Sequence, residues 1–168
     1  MTQDIVEQLG HLALGSRFKR IGEQLQAQAQ VLLDAEGLGL PASHFPLLAA
    51  LDRLGPLSVG EIAEAVGVSQ PGITRQLVRL EIEGLVKSQR LSGDRRRRPI
   101  MLTVAGSLLV TRARKSAWAK IETAVAGICE ELDGPLLNQL AALEQQLKHS
   151  SLAARVASKT RDRRHARA

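Results

Sequence analysis

Residues 57–84 read LSVGEIAEAVGVSQPGITRQLVRLEIEG and contain the signals of two short helices joined by a tight turn. Ser58 and the glutamate three residues later have the spacing of a capping box, which satisfies backbone N–H groups at the start of a helix. Gly67 predicts the end of that helix, because glycine accepts the left-handed conformation that often follows a last helical turn. Ser69 then predicts the cap of a second helix, which ends at Gly84.

The second of these helices has two chemically different sides. Ile73, Leu77 and Leu80 recur at helical spacing and predict a buried stripe. At about 100° per residue, Arg75 and Arg79 fall on the opposite side. A short helix, a tight turn and a second helix that presents cations are typical of a helix-turn-helix.

The flanking sequence predicts a mainly α fold with one small β-hairpin. Short strand candidates at Val86–Arg90 and Ile100–Leu102 enclose a basic tip, and Pro99 limits how far the second strand can pair. Helical periodicity predicts one long first helix from Ile5 to Leu33, a second helix over residues 45–54, a long helix from Thr103 to Leu132 and a last helix from Leu136. Leu and Ala dominate the apolar residues and aromatic residues make up 2% of the chain, which favours helices over a β-rich core.

Composition and charge exclude several classes of protein. The longest uncharged stretch, residues 37–51, contains two prolines and is too short to span a bilayer. With acidic residues at the N-terminus and one cysteine, we expect a cytoplasmic protein without disulfides. Residues 70–120 are strongly basic between acidic neighbours, which indicates a surface facing a polyanion, the alternative being a solvated face.

LSVGEIAEAVGVSQPGITRQLVRLEIEGLV followed by GDRRRRPIMLT resembles the winged helix-turn-helix of the MarR family of bacterial transcriptional regulators, most strongly over residues 57–106. The resemblance implies a homodimer that binds a pseudo-palindromic double-stranded operator. It divides the chain into an N-terminal dimerisation helix (1–35), a DNA-binding domain (36–106) and C-terminal dimerisation helices (107–157). Residues 158–168 are expected to form a basic disordered tail, either DNA-binding or merely solubilising.

The resemblance also implies which residues contact DNA. The helix after Ser69 would enter the major groove, and the Asp-x-Arg motif of the wing would orient an arginine into the minor groove. The matching motif residues are Asp94 and Arg96, although four consecutive arginines leave the choice among Arg95, Arg96, Arg97 and Arg98 open. The expected contacts in the recognition helix are Ser69, Gln70, Thr74, Arg75, Gln76 and Arg79. For Arg75 and Arg96 the alternative is an ion pair on the surface.

Members of the family often bind small molecules between the dimerisation helices and the winged domain. The positions that would line such a site for an anionic or aromatic effector are His11, Arg17, Phe18, Phe45, Met101 and Arg112, with packing or solvent exposure as the alternative for each. Cys129 is expected to be a buried, inert thiol, because the sensing cysteines of oxidant-responsive members lie in the first helix. No metal or other cofactor is expected, since the histidines are scattered and no H-E-x-x-H or C-x-x-C occurs.

Two other functions remain open. A winged-helix module can bind nucleic acid nonspecifically or bind proteins, although the scarcity of aromatic residues disfavours single-stranded nucleic acid. A small enzyme is the third hypothesis, and the absence of phosphate-loop, dinucleotide-binding and nucleophile-elbow motifs lowers the probability of this hypothesis. The sequence therefore predicts a sequence-specific regulator of transcription and favours a repressor over an activator. It does not predict an enzyme.

Overall fold

The computed structural model describes residues 3–89 and 98–156. The described chain is mainly helical with one two-stranded antiparallel sheet, so the expected fold class is confirmed. The chain divides into two compact units, residues 1–122 and 123–168. No helix among the described residues combines the length and hydropathy needed to cross a membrane.

The first unit begins with a broken helix. Helix α1 spans Ile5–Gln8, a 3-10 turn follows over Gly10–Ala13, and α2 spans Leu14–Ala35. The prediction of one continuous helix from Ile5 to Leu33 is therefore wrong at its start. The cause is Gly10, whose φ of 51° lies in the left-handed region and cannot continue a right-handed helix.

The winged helix-turn-helix follows in the predicted order. Its elements are α3 (Phe45–Leu54), α4 (Val59–Val66), α5 (Gln70–Ile82), β1 (Val86–Ser88) and β2 (Ile100–Leu102). A 3-10 turn, Ala42–His44, precedes α3.

Local capping sets the bounds of α4 and α5. The Ser58 hydroxyl accepts from the backbone N–H of Glu61, and the Glu61 carboxylate accepts from the backbone N–H of Ser58, completing the predicted capping box. Gly67 ends α4 with a φ of 69°. The Ser69 hydroxyl caps α5 by accepting from the N–H of Gly72. The helix bounds predicted from these residues are confirmed.

The core of the first unit lies under α5. Ile73 and Leu80 are 0% exposed and Leu77 is 5% exposed, which confirms the predicted stripe. They belong to one apolar cluster that also contains Leu47, Leu48, Ile62, Val86, Ile100 and Val110. This packing fixes the orientation of α5 about its own axis, so it also determines which side chains the helix presents to solvent.

The sheet pairs β1 with β2 in the register Val86 with Leu102 and Ser88 with Ile100. The first strand ends at Ser88, two residues before the predicted end, but the N–H of Gln89 still donates to the carbonyl of Pro99 at 2.9 Å. Proline lacks a donor and keeps its acceptor, which explains how pairing continues past it. Two backbone hydrogen bonds also join Leu57 to Ile100 and extend the pairing of β2 to a third segment. The periodicity of the sequence did not predict this pairing.

One threonine joins the end of α5, the base of the wing and the next helix. The Thr103 hydroxyl donates to the carbonyl of Gly84 at 2.7 Å, and its backbone N–H donates to the carbonyl of Leu85 at 3.0 Å. The same hydroxyl caps α6 by accepting from the N–H of Gly106 at 3.1 Å. The end of α5 and the base of the wing are therefore bonded to the start of α6.

The long helix predicted from Thr103 is continuous but not uniform. It consists of α6 (Val104–Ala113), a π-helical turn (Arg114–Trp118) and α7 (Ala119–Glu130). Val110, Ala113 and Ala117 are buried in the core of the first unit. Residues 107–122 belong to the same compact unit as the winged domain.

Three cations connect this long helix to earlier elements. Arg112 donates to the carbonyl of Gly37 at 2.5 Å, Arg114 pairs with Asp52, and Lys120 pairs with Glu36 at 2.5 Å. Lys120 lowers the pKa of the Glu36 carboxyl, since the bonded ammonium favours the ionised form.

In the second unit, α8 spans Leu136–His149 after the predicted break at Asp133–Pro135, where Gly134 has a φ of 80°. Cys129 is partly exposed, so the expectation of a buried thiol is wrong. The residue lies on α7 in a part of the helix whose residues are all exposed or partly exposed.

Candidate nucleic-acid interface

Arg75 is the exposed cation nearest the centre of α5. It lies two residues after the buried Ile73, about 200° round the helix, and therefore faces away from the core. The guanidinium makes no ion pair with any residue that the structure describes. An unpaired, exposed guanidinium is able to donate two parallel hydrogen bonds to a planar acceptor such as a guanine edge.

Arg79 is already paired within the helix. Its Nε lies 2.6 Å from a carboxylate oxygen of Glu83, one turn further along α5. An exposed pair of this kind adds little stability, so a phosphate can compete for the guanidinium. The two arginines of α5 thus differ, since Arg75 is unpaired and Arg79 must exchange its partner.

The hydroxyl groups of Ser69 and Thr74 are both bonded to the backbone of α5. Ser69 accepts from the N–H of Gly72, so its own O–H remains able to donate. Thr74 donates to the carbonyl of Gln70 at 2.9 Å, so its oxygen remains able to accept. Each hydroxyl can therefore offer one kind of hydrogen bond to a phosphate or base.

The two predicted glutamines of α5 are placed differently. Gln70 is exposed at the first position of the helix. Gln76 is partly buried, and its Oε1 atom is shielded from solvent without a hydrogen-bond partner among the described residues. The bidentate recognition of adenine uses both the oxygen and the nitrogen of a glutamine amide. In this conformation Gln76 cannot present both atoms.

The wing is described only at its base. Arg98 is exposed one residue before Pro99, at the start of the returning strand. Asp94, Arg95, Arg96 and Arg97 lie outside the described residues, as does the basic tail over residues 158–168. The roles assigned to them stay predictions.

His44 is a buried polar residue beside α5, and no sequence motif predicted its burial. It is the one polar residue in the buried set of the described chain, and its Nδ1 lies 3.4 Å from the hydroxyl oxygen of Ser43. Burial lowers the pKa of His44 because it disfavours the charged imidazolium, and the charge of Arg79 lowers this pKa further while Glu83 opposes that effect. The histidine is therefore electrostatically coupled to the ion pair of α5.

The six predicted effector residues have unlike surroundings. Phe45 is buried and packs edge-on against Trp118, with ring centroids 5.9 Å apart, and Arg112 is bonded to the carbonyl of Gly37. Phe18 and His11 are exposed, and Arg17 and Met101 are partly buried. A shallow depression of about 260 Å³ lies elsewhere on the described surface, lined by Pro46, Ala49, Ala50, Arg53, Leu54 and Ala65. The contribution of Trp118 was not predicted, since a single aromatic residue in a helix gives no signal of its partner.

No metal cluster is found in the described part of the chain. Within residues 3–89 and 98–156, no three His, Cys, Asp or Glu side chains are grouped so that they could hold an ion.

A family model described as "MarR family" matches residues 38–97. Among solved structures, the transcriptional repressor CouR, bound to a 23-mer DNA duplex, is 27% identical, with a TM-score of 0.62 over 83% of this chain and 95% of that chain. A mutant MarR from E. coli, complexed with operator DNA, is 19% identical, with a TM-score of 0.66 over 88% of this chain and 98% of that chain. BpsR from Bordetella bronchiseptica, whose DNA binding is regulated by 6-hydroxynicotinic acid, is 22% identical, with a TM-score of 0.63 over 80% of this chain and 98% of that chain.

The matched segment contains α3, α4, α5 and β1 and ends before β2, and the solved structures share the fold around it. A MarR family model thus matches residues 38–97 of this chain, and the chain shares its fold with solved structures of MarR-family proteins.

Proposed function

We propose that this chain is a sequence-specific regulator that binds double-stranded operator DNA, with α5 in the major groove and the arginine-rich wing in the minor groove. The observation that carries the proposal is Arg75, whose guanidinium has no ion pair among the described residues and is held outward by the buried stripe on the other side of α5. CouR and the E. coli MarR mutant, which share this fold, are each bound to DNA in their solved structures, and this supports DNA binding by this chain. Such a protein acts in the cytoplasm and represses by occluding a promoter.

We propose that the active form is a homodimer on a pseudo-palindromic operator, with residues 1–35 and 107–157 supplying the interface. Leu12 is 83% exposed in the first unit and Leu137 is 74% exposed in the second. The other large apolar residues exposed in these segments include Ile5, Leu9, Phe18, Ile21, Leu25, Ile128, Leu132 and Leu147. Exposed apolar side chains in such numbers are typical of surfaces that associate.

The test begins with duplexes enriched from a random library by the full-length protein. Fluorescence anisotropy then compares an enriched duplex with its scrambled sequence across a salt series. The enriched duplex is expected to bind about 10³-fold or more tightly than the scrambled one. Arg75→Ala and Arg96→Ala should remove most of that difference, because a lost base or groove contact affects the specific sequence most.

A matched control removes one positive charge elsewhere. Lys19 is exposed on α2 and pairs only loosely with Glu23 at 3.8 Å, so Lys19→Ala should preserve the difference between the duplexes. Equal and steeply salt-dependent binding to both duplexes would instead indicate a nonspecific nucleic-acid-binding module. No enrichment and no binding at moderate salt would favour a protein-interaction module or a small enzyme.

We propose further that a small anionic or aromatic effector releases the DNA. The regulation of BpsR DNA binding by 6-hydroxynicotinic acid supports a small-molecule effector for this chain. Arg17 is the cation best suited to a carboxylate, since it is partly buried and unpaired among the described residues. Monocyclic aromatic carboxylates should raise the melting temperature and weaken operator binding, and Arg17→Ala should reduce both effects while Lys19→Ala keeps them. If none of these compounds gives a saturable response, the effector proposal is contradicted, while the proposal of DNA binding still stands.

A further inference from the structure

The outward side of α5 is apolar as well as cationic. Val78 is 53% exposed and Ile82 is 80% exposed, and Pro71 is also exposed near the start of the helix. At about 100° per residue, these three residues and Arg75 fall within about 60° of one another, opposite Ile73. We call Pro71, Arg75, Val78 and Ile82 the outward stripe.

Isolated apolar residues on a surface need no explanation. The apolar residues of the outward stripe are instead aligned in a row beside Arg75, and this arrangement needs one. The outward stripe lies opposite the buried Ile73, Leu77 and Leu80, and its apolar side chains are exposed in the part of the chain that the structure describes. Under the function proposed above, the part of the stripe from Pro71 to Val78 meets the floor of the major groove.

The major groove contains one apolar group, the C5-methyl of thymine, and its best partner for arginine is the O6 and N7 edge of guanine. We propose that Val78 and Pro71 recognise thymine methyl groups on either side of a guanine bound by Arg75. This inference rests on the proposed function and adds the identity of the bases that α5 selects.

The spacing of the stripe agrees with the spacing of base pairs. A rise of about 1.5 Å per residue places Pro71 and Val78 roughly 10 Å apart, which is close to three base-pair steps of about 3.4 Å. Arg75 lies between them, so the thymines should be within about two base pairs of the guanine. Ile82 lies roughly 6 Å beyond Val78 at the last position of α5. Because bases are contacted mainly from the N-terminal part of a recognition helix, Ile82 should make no such contact.

Replacing thymine by deoxyuracil tests the inference, since it removes the methyl group and leaves base pairing and hydrogen-bonding groups unchanged. Each thymine of an enriched half-site is replaced singly, and binding is measured by fluorescence anisotropy. For wild-type protein, one or two positions should weaken binding by roughly fourfold, the value expected for one buried methyl group. The guanine bound by Arg75 is found by replacing each guanine singly with 7-deazaguanine, which lacks the N7 acceptor. At that guanine the replacement should remove the difference in affinity between wild type and Arg75→Ala, and the sensitive thymines should lie within two base pairs of it.

Val78→Ala and Ile82→Ala form a matched pair of variants. Both remove exposed apolar atoms from the same side of α5, so thermal unfolding should be nearly unchanged in each. Val78→Ala should bind the thymine and uracil duplexes equally at one sensitive position, and Ile82→Ala should keep the wild-type difference.

The outcomes separate this inference from the proposed function. If wild-type protein distinguishes enriched from scrambled DNA but tolerates uracil at every position, methyl recognition is refuted and specific binding stands. If Val78→Ala retains the full uracil penalty, the methyl group acts through another residue or through DNA flexibility, and the role of Val78 is refuted. If enriched and scrambled duplexes bind alike, the proposed function itself fails.

Discussion

Gly106 allows α6 to begin directly against the wing, and replacing it should be severe. An ideal Cβ at this position would lie 2.1 Å from the carbonyl oxygen of Leu85 and 3.1 Å from its carbonyl carbon. An ordinary contact needs more than 3.4 Å. Gly106→Ala therefore forces the start of α6 and the first residue of the wing about 1 Å or more apart.

The same carbonyl oxygen accepts the backbone N–H of Thr103 at 3.0 Å and lies 3.3 Å from its hydroxyl. Separation at this point weakens those bonds, each of which is worth about 1 kcal/mol. Overpacking of a tight contact adds about 1–3 kcal/mol. We expect a loss of about 3 kcal/mol in the free energy of unfolding. For a chain of this size that loss corresponds to a decrease of about 6–12 °C in melting temperature.

Differential scanning calorimetry at fixed protein concentration measures the effect. Gly15→Ala is the matched control, because Gly15 is helical and its added Cβ would meet nothing within 4 Å. That variant should be as stable as wild type or slightly more stable, since alanine favours a helix over glycine. A Gly106→Ala protein that melts within about 1 °C of wild type would show that the wing adjusts freely, and would refute the argument from close contact.

Three further predictions concern the first unit. As the pH falls below about 6.5, the free energy of unfolding should decrease, because the lowered pKa of His44 makes the unfolded chain bind a proton before the folded one does. Urea midpoints measured from pH 8 to 5 should therefore change less with pH in His44→Gln than in wild type, whereas His11→Gln should behave like wild type. Leu80→Ala should lose about 2–5 kcal/mol by chemical denaturation, since the side chain is fully buried, whereas the exposed Ile82→Ala should lose little. Ser58→Ala removes the cap of α4 and should cost about 0.5–2 kcal/mol in thermal unfolding, and a Ser43→Ala variant of similar stability loss would argue against a special role of the cap.

Much of the fold was predictable because its signals are local. The capping box at Ser58, the left-handed Gly67 and the cap at Ser69 each act within a few residues, so the sequence alone indicates where α4 and α5 begin and end. The spacing of Ile73, Leu77 and Leu80 likewise determines which side of α5 is buried, and with it the exposure of Arg75.

Features that depend on distant residues were not predictable. Gly10 interrupts an otherwise regular apolar period, and only its positive φ shows that the helix restarts after it. The bonds from Leu57 to Ile100 join positions with no shared motif, and the packing of Phe45 on Trp118 joins two single aromatic residues. The inward turn of the Gln76 oxygen depends on the surroundings of one side chain and has no counterpart in a sequence period.

The ion pairs of the first unit bear on how the protein responds to salt. Residues 70–120 contain twelve Lys and Arg residues, yet Arg114 and Lys120 end at carboxylates elsewhere in the same fold. The number of counterions that a bound duplex releases depends on the cations that reach phosphates, not on the total in the chain. Added salt therefore acts on two separate populations of charge: one holds the long helix to its neighbours, and the other remains for the polyanion.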